Sequence, residues 1–182
     1  MSGHAVKHVE EPKRTISLKP ELRKELEELV LRFPRKEGGL LNVLRVLERE
    51  FSYVDSNVVK LAAELCEMPP AKAWGVFTFY STFRTHRDGK HNMWVCSTLP
   101  CALRGSDKLF DHIHEQLDCD DYGTSSDKLI TLKKAECLGA CGTAPCLQLN
   151  DDYYENVSHD EASRIIRDLR NGVTRPSGST TE

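Results

Sequence analysis

Two close pairs of cysteines constrain this chain more than any other feature: Cys96 and Cys101, with four residues between them, and Cys137 and Cys141, with three. Each pair stands just after a run that reads as a β-strand, Asn92 to Val95 before the first and Leu129 to Ala135 before the second. Two strands that deliver thiols to the same edge of a small sheet bring deprotonated ligands to one point, which is what a metal centre requires. The fold must let these two loops meet.

Spacing separates the candidate chemistries. A thioredoxin-type redox catalyst needs Cys-x-x-Cys at a helix start, and neither pair has it. Structural zinc sites favour two to four residues within a pair, so zinc stays open as a rival. An iron-sulfur centre grips a cluster rather than a single ion and accepts these gaps, a two-iron cluster taking four thiolates, two per iron. Gly139 and Gly142 weigh toward the cluster, because backbone that turns sharply around a bulky group favours residues without a Cβ. Pro100 stiffens the loop that ends in Cys101.

The other cysteines have plainer readings. Cys66 reads as helix core and Cys119 as part of a polar loop. Cys146 reads as a small apolar residue opening a strand, although it stands close enough to Cys141 to compete as a ligand. His4, His8, His86, His91, His112, His114 and His159 show no ligand spacing with the cysteines. No G-x-G-x-x-G or G-x-x-x-x-G-K-[ST] stretch is present, so hydride or nucleotide chemistry of those kinds belongs to another chain.

Charge and hydropathy exclude further classes. Twenty-five basic residues against 28 acidic ones leave a net charge of −3, with no basic face suited to neutralising phosphates, so no nucleic acid is expected as a partner. No apolar run approaches the roughly 18 residues of a membrane span. The first residues lack the apolar core of a secretory signal, and Glu10 and Glu11 set them apart from an Arg-rich, acid-poor transit peptide. Seven cysteines without an export signal fit a reducing compartment. The expectation is a soluble, cytoplasmic protein without direct membrane insertion.

Taken in order, residues 1–16 predict a mobile tail. Leu18, Leu22, Leu26, Leu29, Val30 and Phe33 recur at helical intervals after Ser17, a candidate N-cap, and Pro34 stops the run. A second helix follows Gly38-Gly39, a third is capped by Asp55 or Ser56, and a fourth opens at Pro70 and runs into Phe79-Tyr80. Trp74, Phe77, Phe79, Tyr80 and Phe83 read chiefly as bundle core. A bundle over 17–85 is thus followed by a charged connector with the turn Asp88-Gly89. Over 90–172 the pattern becomes strand, helix from about Ala102, strand, strand, then a return strand at Tyr153-Tyr154 and a last helix. Ser158 and Glu161 form its capping box. Residues 173–182 predict a second mobile tail.

Several stretches carry a family resemblance: Trp74-Gly75-Val76-Phe77-Thr78-Phe79-Tyr80, Val95-Cys96-x4-Cys101, Glu136-Cys137-Leu138-Gly139-Ala140-Cys141, Ala144-Pro145 and Asn150-Asp151-Asp152-x-Tyr154. Together they resemble the small thioredoxin-like 2Fe-2S subunit of NADH:quinone oxidoreductase, respiratory complex I, over roughly residues 17–170. The resemblance implies an α+β class, with an N-terminal helical bundle and a thioredoxin-like α/β domain. It implies one 2Fe-2S cluster on Cys96, Cys101, Cys137 and Cys141, exchanging single electrons with the FMN of a flavoprotein subunit that binds NADH. It also implies a place among other peripheral-arm subunits on the cytoplasmic side of the inner membrane. Diaphorase subunits of NAD-linked hydrogenases and formate dehydrogenases share these features. The rival of a different class is a zinc-stabilised interaction module. Arg104, Lys108, Lys133 and Lys134 either temper the cluster's negative charge or are ordinary surface charge.

Overall fold

Helix breakers set close together cut the first part of the chain into short helices. The computed structural model describes residues 11–12 and 14–173; His4 and His8 lie outside them, as does the expected second tail apart from Val173. The chain divides into two compact units, Met1–His86 and Arg87–Glu182. In the first, α1 (Pro20–Val30), a 3-10 turn (Lys36–Gly39), α2 (Leu40–Phe51), α3 (Ser56–Leu65) and α4 (Pro70–Phe79) follow one another. Leu26, Val43, Leu44, Leu47, Val58 and Ala62 meet in a core closed to water. Cys66 joins it as expected, and burial pushes its thiol up to about 11.

Three local expectations change. Ser17 does not cap α1; the helix opens at Pro20, whose missing N–H suits the first turn, and Lys19 makes no side-chain cap bond. Of the tail expected over residues 1–16, residues 1–10 and 13 lie outside the described residues, and the last part is held to the bundle. Arg14 Nε donates to Asp55 Oδ2 at 2.5 Å, and its other nitrogens reach the carbonyls of Phe51 and Tyr53. Ile16 packs on the core. The aromatic group splits as well: Phe77 and Phe83 are buried, whereas Trp74, Phe79 and Tyr80 are exposed. Asp55 caps α3 as expected, accepting from the amides of Asn57 and Val58.

The second unit is built on β1 (His91–Cys96), α5 (Leu99–Leu103), α6 (Ser106–Leu117), β2 (Ile130–Ala135), β3 (Leu147–Leu149), β4 (Asp152–Tyr154) and α7 (His159–Arg170). The strands lie in the order β2-β1-β3-β4. β1 runs parallel to β2, with Cys96 opposite Ala135, and antiparallel to β3, with Val95 opposite Leu147. The parallel pair requires a crossover, which α5 and α6 provide. Met93, Leu109, Ile113, Ile130, Leu147 and Ile166 fill the core between sheet and helices.

The single helix expected from Ala102 is two, because Gly105 takes a left-handed φ of 93° between α5 and α6. In the loop before β2, Gly123 also has a φ of 93°, and a Cβ there would stand 2.3 Å from the Leu132 carbonyl oxygen. Ser158 Oγ accepts from the Glu161 amide at 3.1 Å, so the N-cap half of the expected box forms at the start of α7. Among the described residues no helix is long and apolar enough to cross a membrane.

Candidate metal centre

The centre of the sheet delivers the first thiol pair. β1 ends at Cys96, and α5, opening at Leu99 with Pro100 in its first turn, turns Cys101 inward to 1% exposure. β2 leads into the loop that carries Cys137, and Cys141 opens a short 3-10 turn to Thr143. A cis Ala144–Pro145 peptide precedes Cys146, which stands at the head of β3. The Cys146 carbonyl accepts from the Cys96 amide at 3.1 Å, which sets the two cysteines across from each other.

The sulfurs of Cys96, Cys101 and Cys146 all lie within 4.8 Å of one another, and those of Cys101 and Cys146 are 3.9 Å apart. All three are buried, with Ala144 beside them and Leu138 and Ala140 packed against the group. Cys137 and Cys141 are exposed on the loop that contributes those two apolar residues. Of the four residues in the expected ligand set, the structure thus joins Cys96 and Cys101 and places Cys137 and Cys141 on the covering loop. Cys146 is fully buried, as a small apolar residue opening a strand would be, and its sulfur also faces those of Cys96 and Cys101. The register that sets it opposite Cys96 cannot be read from spacing along the chain, and its nearness to Cys141 in sequence is the available signal.

The surroundings favour a negative sulfur at Cys96. Burial works against its ionisation, but the amides of Thr98 and Leu138, the Cys101 thiol and the Thr98 side chain outweigh it and hold the thiol below its ordinary value. Burial has the upper hand at Cys101, whose thiol lies above its ordinary value. At Cys146 burial, reinforced by the negative charge of Cys101 and Cys96, pushes the thiol up to about 12. The Gly139 amide donates to Cys137 Sγ at 3.4 Å. Cys119 stands apart in its loop, raised to about 11 by burial and nearby aspartates.

The expected cations are mostly engaged elsewhere. Lys133 binds Asp88 at 2.5 Å and Lys134 binds Asp107 at 2.9 Å. Lys108 is exposed. Arg104 Nε donates to the Ala144 carbonyl at 3.3 Å, which ties α5 to the wall of the thiol group. The histidines keep other company, His112 stacking on His159 and His91 meeting Asn150.

Comparison with known proteins bears on this arrangement. Residues 26–170 match the family described as thioredoxin-like 2Fe-2S ferredoxin. An NADH-quinone oxidoreductase subunit of Rickettsia conorii is 36% identical over 148 residues, covering 80% of this chain and 89% of that protein. The protein of the same name from Rickettsia typhi is 34% identical over 150 residues, covering 81% of this chain and 88% of its own. A solved NAD+-reducing NiFe-hydrogenase in the air-oxidized state superposes with a TM-score of 0.63 at 15% identity, over 72% of this chain and 23% of the other. That last likeness is one of fold.

Proposed function

The chain belongs to the thioredoxin-like 2Fe-2S ferredoxin family, and from this premise we propose that it is the electron-transfer subunit of an NADH:quinone oxidoreductase, with one 2Fe-2S cluster held by Cys96, Cys101, Cys137 and Cys141. The observation that carries this reading is a loop bearing two exposed thiols, packed over two buried ones, in a chain 36% identical to an NADH-quinone oxidoreductase component across four fifths of its length.

The residues fit the group. A two-iron cluster takes thiolate ligands, and here amide N–H groups point at the sulfurs of Cys96 and Cys137, as stabilised thiolates require. When bound, the cluster supplies one-electron chemistry. The protein supplies the rest. Cys96 and Cys101 anchor one side on β1 and α5, where burial keeps water away. Leu138 and Ala140 cover that side, while Cys137 and Cys141 ride on a loop whose Gly139 adopts a φ of 78°. Amide donors at the sulfurs spread their negative charge, a setting that raises a cluster's potential.

In this reading the electron partner is a flavoprotein that binds FMN and NADH, because hydride chemistry has no recognisable motif in this chain. The assembly is the peripheral arm, on the cytoplasmic face of the inner membrane. The test is anaerobic reconstitution of the full chain with iron and sulfide. A reddish-brown protein with iron and acid-labile sulfide in equal amounts is expected, and a chain that takes up neither overturns the reading. Serine at Cys96, Cys101, Cys137 or Cys141 changes or abolishes the cluster spectrum; an unchanged spectrum at any of them overturns the ligand set. Co-purification with an FMN-binding chain supports the complex, whereas recovery with hydrogenase or formate dehydrogenase subunits would redirect the assignment.

A further inference from the structure

The buried thiol group has a different membership from the cluster's ligand set, and the difference is chemical. Around a single zinc ion with Zn–S bonds of about 2.3 Å, the sulfurs of a tetrahedral site stand about 3.8 Å apart. Cys101 and Cys146 are already 3.9 Å apart, and the Cys96 sulfur lies within 4.8 Å of both. The Cys101–Cys146 separation is already that of two ligands on one ion, and the Cys96 sulfur, no more than 4.8 Å from either, needs to close by at most about 1 Å to join them. Two thiolates on one iron stand at similar separations, so what sets this group apart is its number, three thiols at one point where a two-iron cluster takes two per iron.

We infer that the cluster-free chain holds a single soft divalent cation, zinc by its chemistry, on Cys96, Cys101 and Cys146, with the fourth position left to water. Thiolate ligands suit this ion, and three protein ligands with one open position is a recurring zinc arrangement. Binding deprotonates the three thiols and releases their protons to solvent. The ion reaches them past Leu138 and Ala140, the apolar cover on the loop. Because the ion and the cluster both need Cys96 and Cys101, they exclude each other. Cys146 is the residue that belongs to the ion alone.

The experiment uses the full chain, cluster-free, reduced and anaerobic, titrated with cobalt(II) as a coloured stand-in for zinc and then with zinc itself. One equivalent of cobalt gives a sulfur-to-metal absorption band that zinc displaces. The band persists when Cys137 and Cys141 are both serine. It is lost, or binding is weakened by more than the about 10- to 100-fold that an outer-shell partner costs, in Cys146→Ser and in Cys146→Ala, which keeps the site apolar. Retention in both Cys146 variants overturns the inference, as does loss in the Cys137/Cys141 variant. Circular dichroism confirms that each variant is folded. Prior loading with one equivalent of zinc slows reconstitution by iron and sulfide about tenfold or more in the wild type and not in Cys146→Ala. That arm separates the two readings, since normal cluster assembly without zinc competition defeats the zinc site and leaves the cluster proposal standing.

Discussion

Asp55 shows how much one side chain holds in the helical unit. Its carboxylate, 1% exposed, accepts from the amides of Asn57 and Val58 at the start of α3 and from the guanidinium of Arg14. Removing it strips a cap and leaves a largely buried cation without its partner. Asp55→Ala is therefore expected to destabilise the chain by about 3–5 kcal/mol in urea unfolding, and Asp55→Asn, which keeps an acceptor for the cap, by less. A loss under about 1 kcal/mol for the alanine would mean that the contact is only that of a surface pair. The thiols make a second test at this scale. In the native, cluster-free, metal-free chain at pH 8, iodoacetamide should label exposed Cys137 and Cys141 first. Cys66, Cys119 and Cys146, whose thiols are raised to about 11, 11 and 12, should follow slowly, as peptide mass mapping over time would record.

At the scale of elements, the loop between α6 and β2 is held by geometry that short-range patterns reveal only in part. Gly123 pairs with Leu132, whose amide donates to the Gly123 carbonyl at 2.8 Å, and a Cβ there would strike the Leu132 oxygen. Gly123→Ala is expected to cost at least the about 1–2 kcal/mol of a left-handed residue and to lower the unfolding midpoint accordingly. The same loop gives an acid response. Burial works to raise the Asp120 carboxyl, but the amides of Thr124 and Tyr122 and the Lys128 ammonium hold it below its ordinary value; the Ser125 hydroxyl and Leu129 amide do the same for Asp127. A carboxyl lower in the folded state than in the unfolded stabilises above the unfolded value and ceases to do so as pH falls through the folded one. Protection of the Thr124 and Leu129 amides in hydrogen exchange should thus fall below about pH 4. Asp120→Asn with Asp127→Asn should flatten that dependence. Legibility follows the reach of each signal. Asp55 and Ser158 announce their helices because a cap lies within three residues of what it bonds. The break at Gly105 falls in the polar stretch Arg104 to Lys108, where no apolar spacing is present to show either a continuous helix or an interruption, and a positive φ leaves no mark on that pattern. Arg14 reads as tail because its partners stand some forty residues away. Cys96 and Cys101 are legible as candidate ligands from spacing, whereas Cys146 meets them through strand pairing.

For the molecule as a whole, the division into Met1–His86 and Arg87–Glu182 puts all four proposed cluster ligands in one unit, which has its own apolar core. Residues 87–182 expressed alone are expected to fold and to take up iron and acid-labile sulfide, checked by circular dichroism and metal analysis. Failure to do so would assign the first unit a part in holding the site. The strand order gives the assembled unit a further property. β1 lies at the middle of the sheet yet emerges first from the ribosome, bare on both sides until β2 and then β3 have been made. Cys96 and Cys101 consequently spend the synthesis of the following residues without their neighbours. The sheet that frames the pocket is complete only after the chain has passed Leu149, so a nascent chain stalled before β3 carries all four proposed ligands without the strand pairing that frames them.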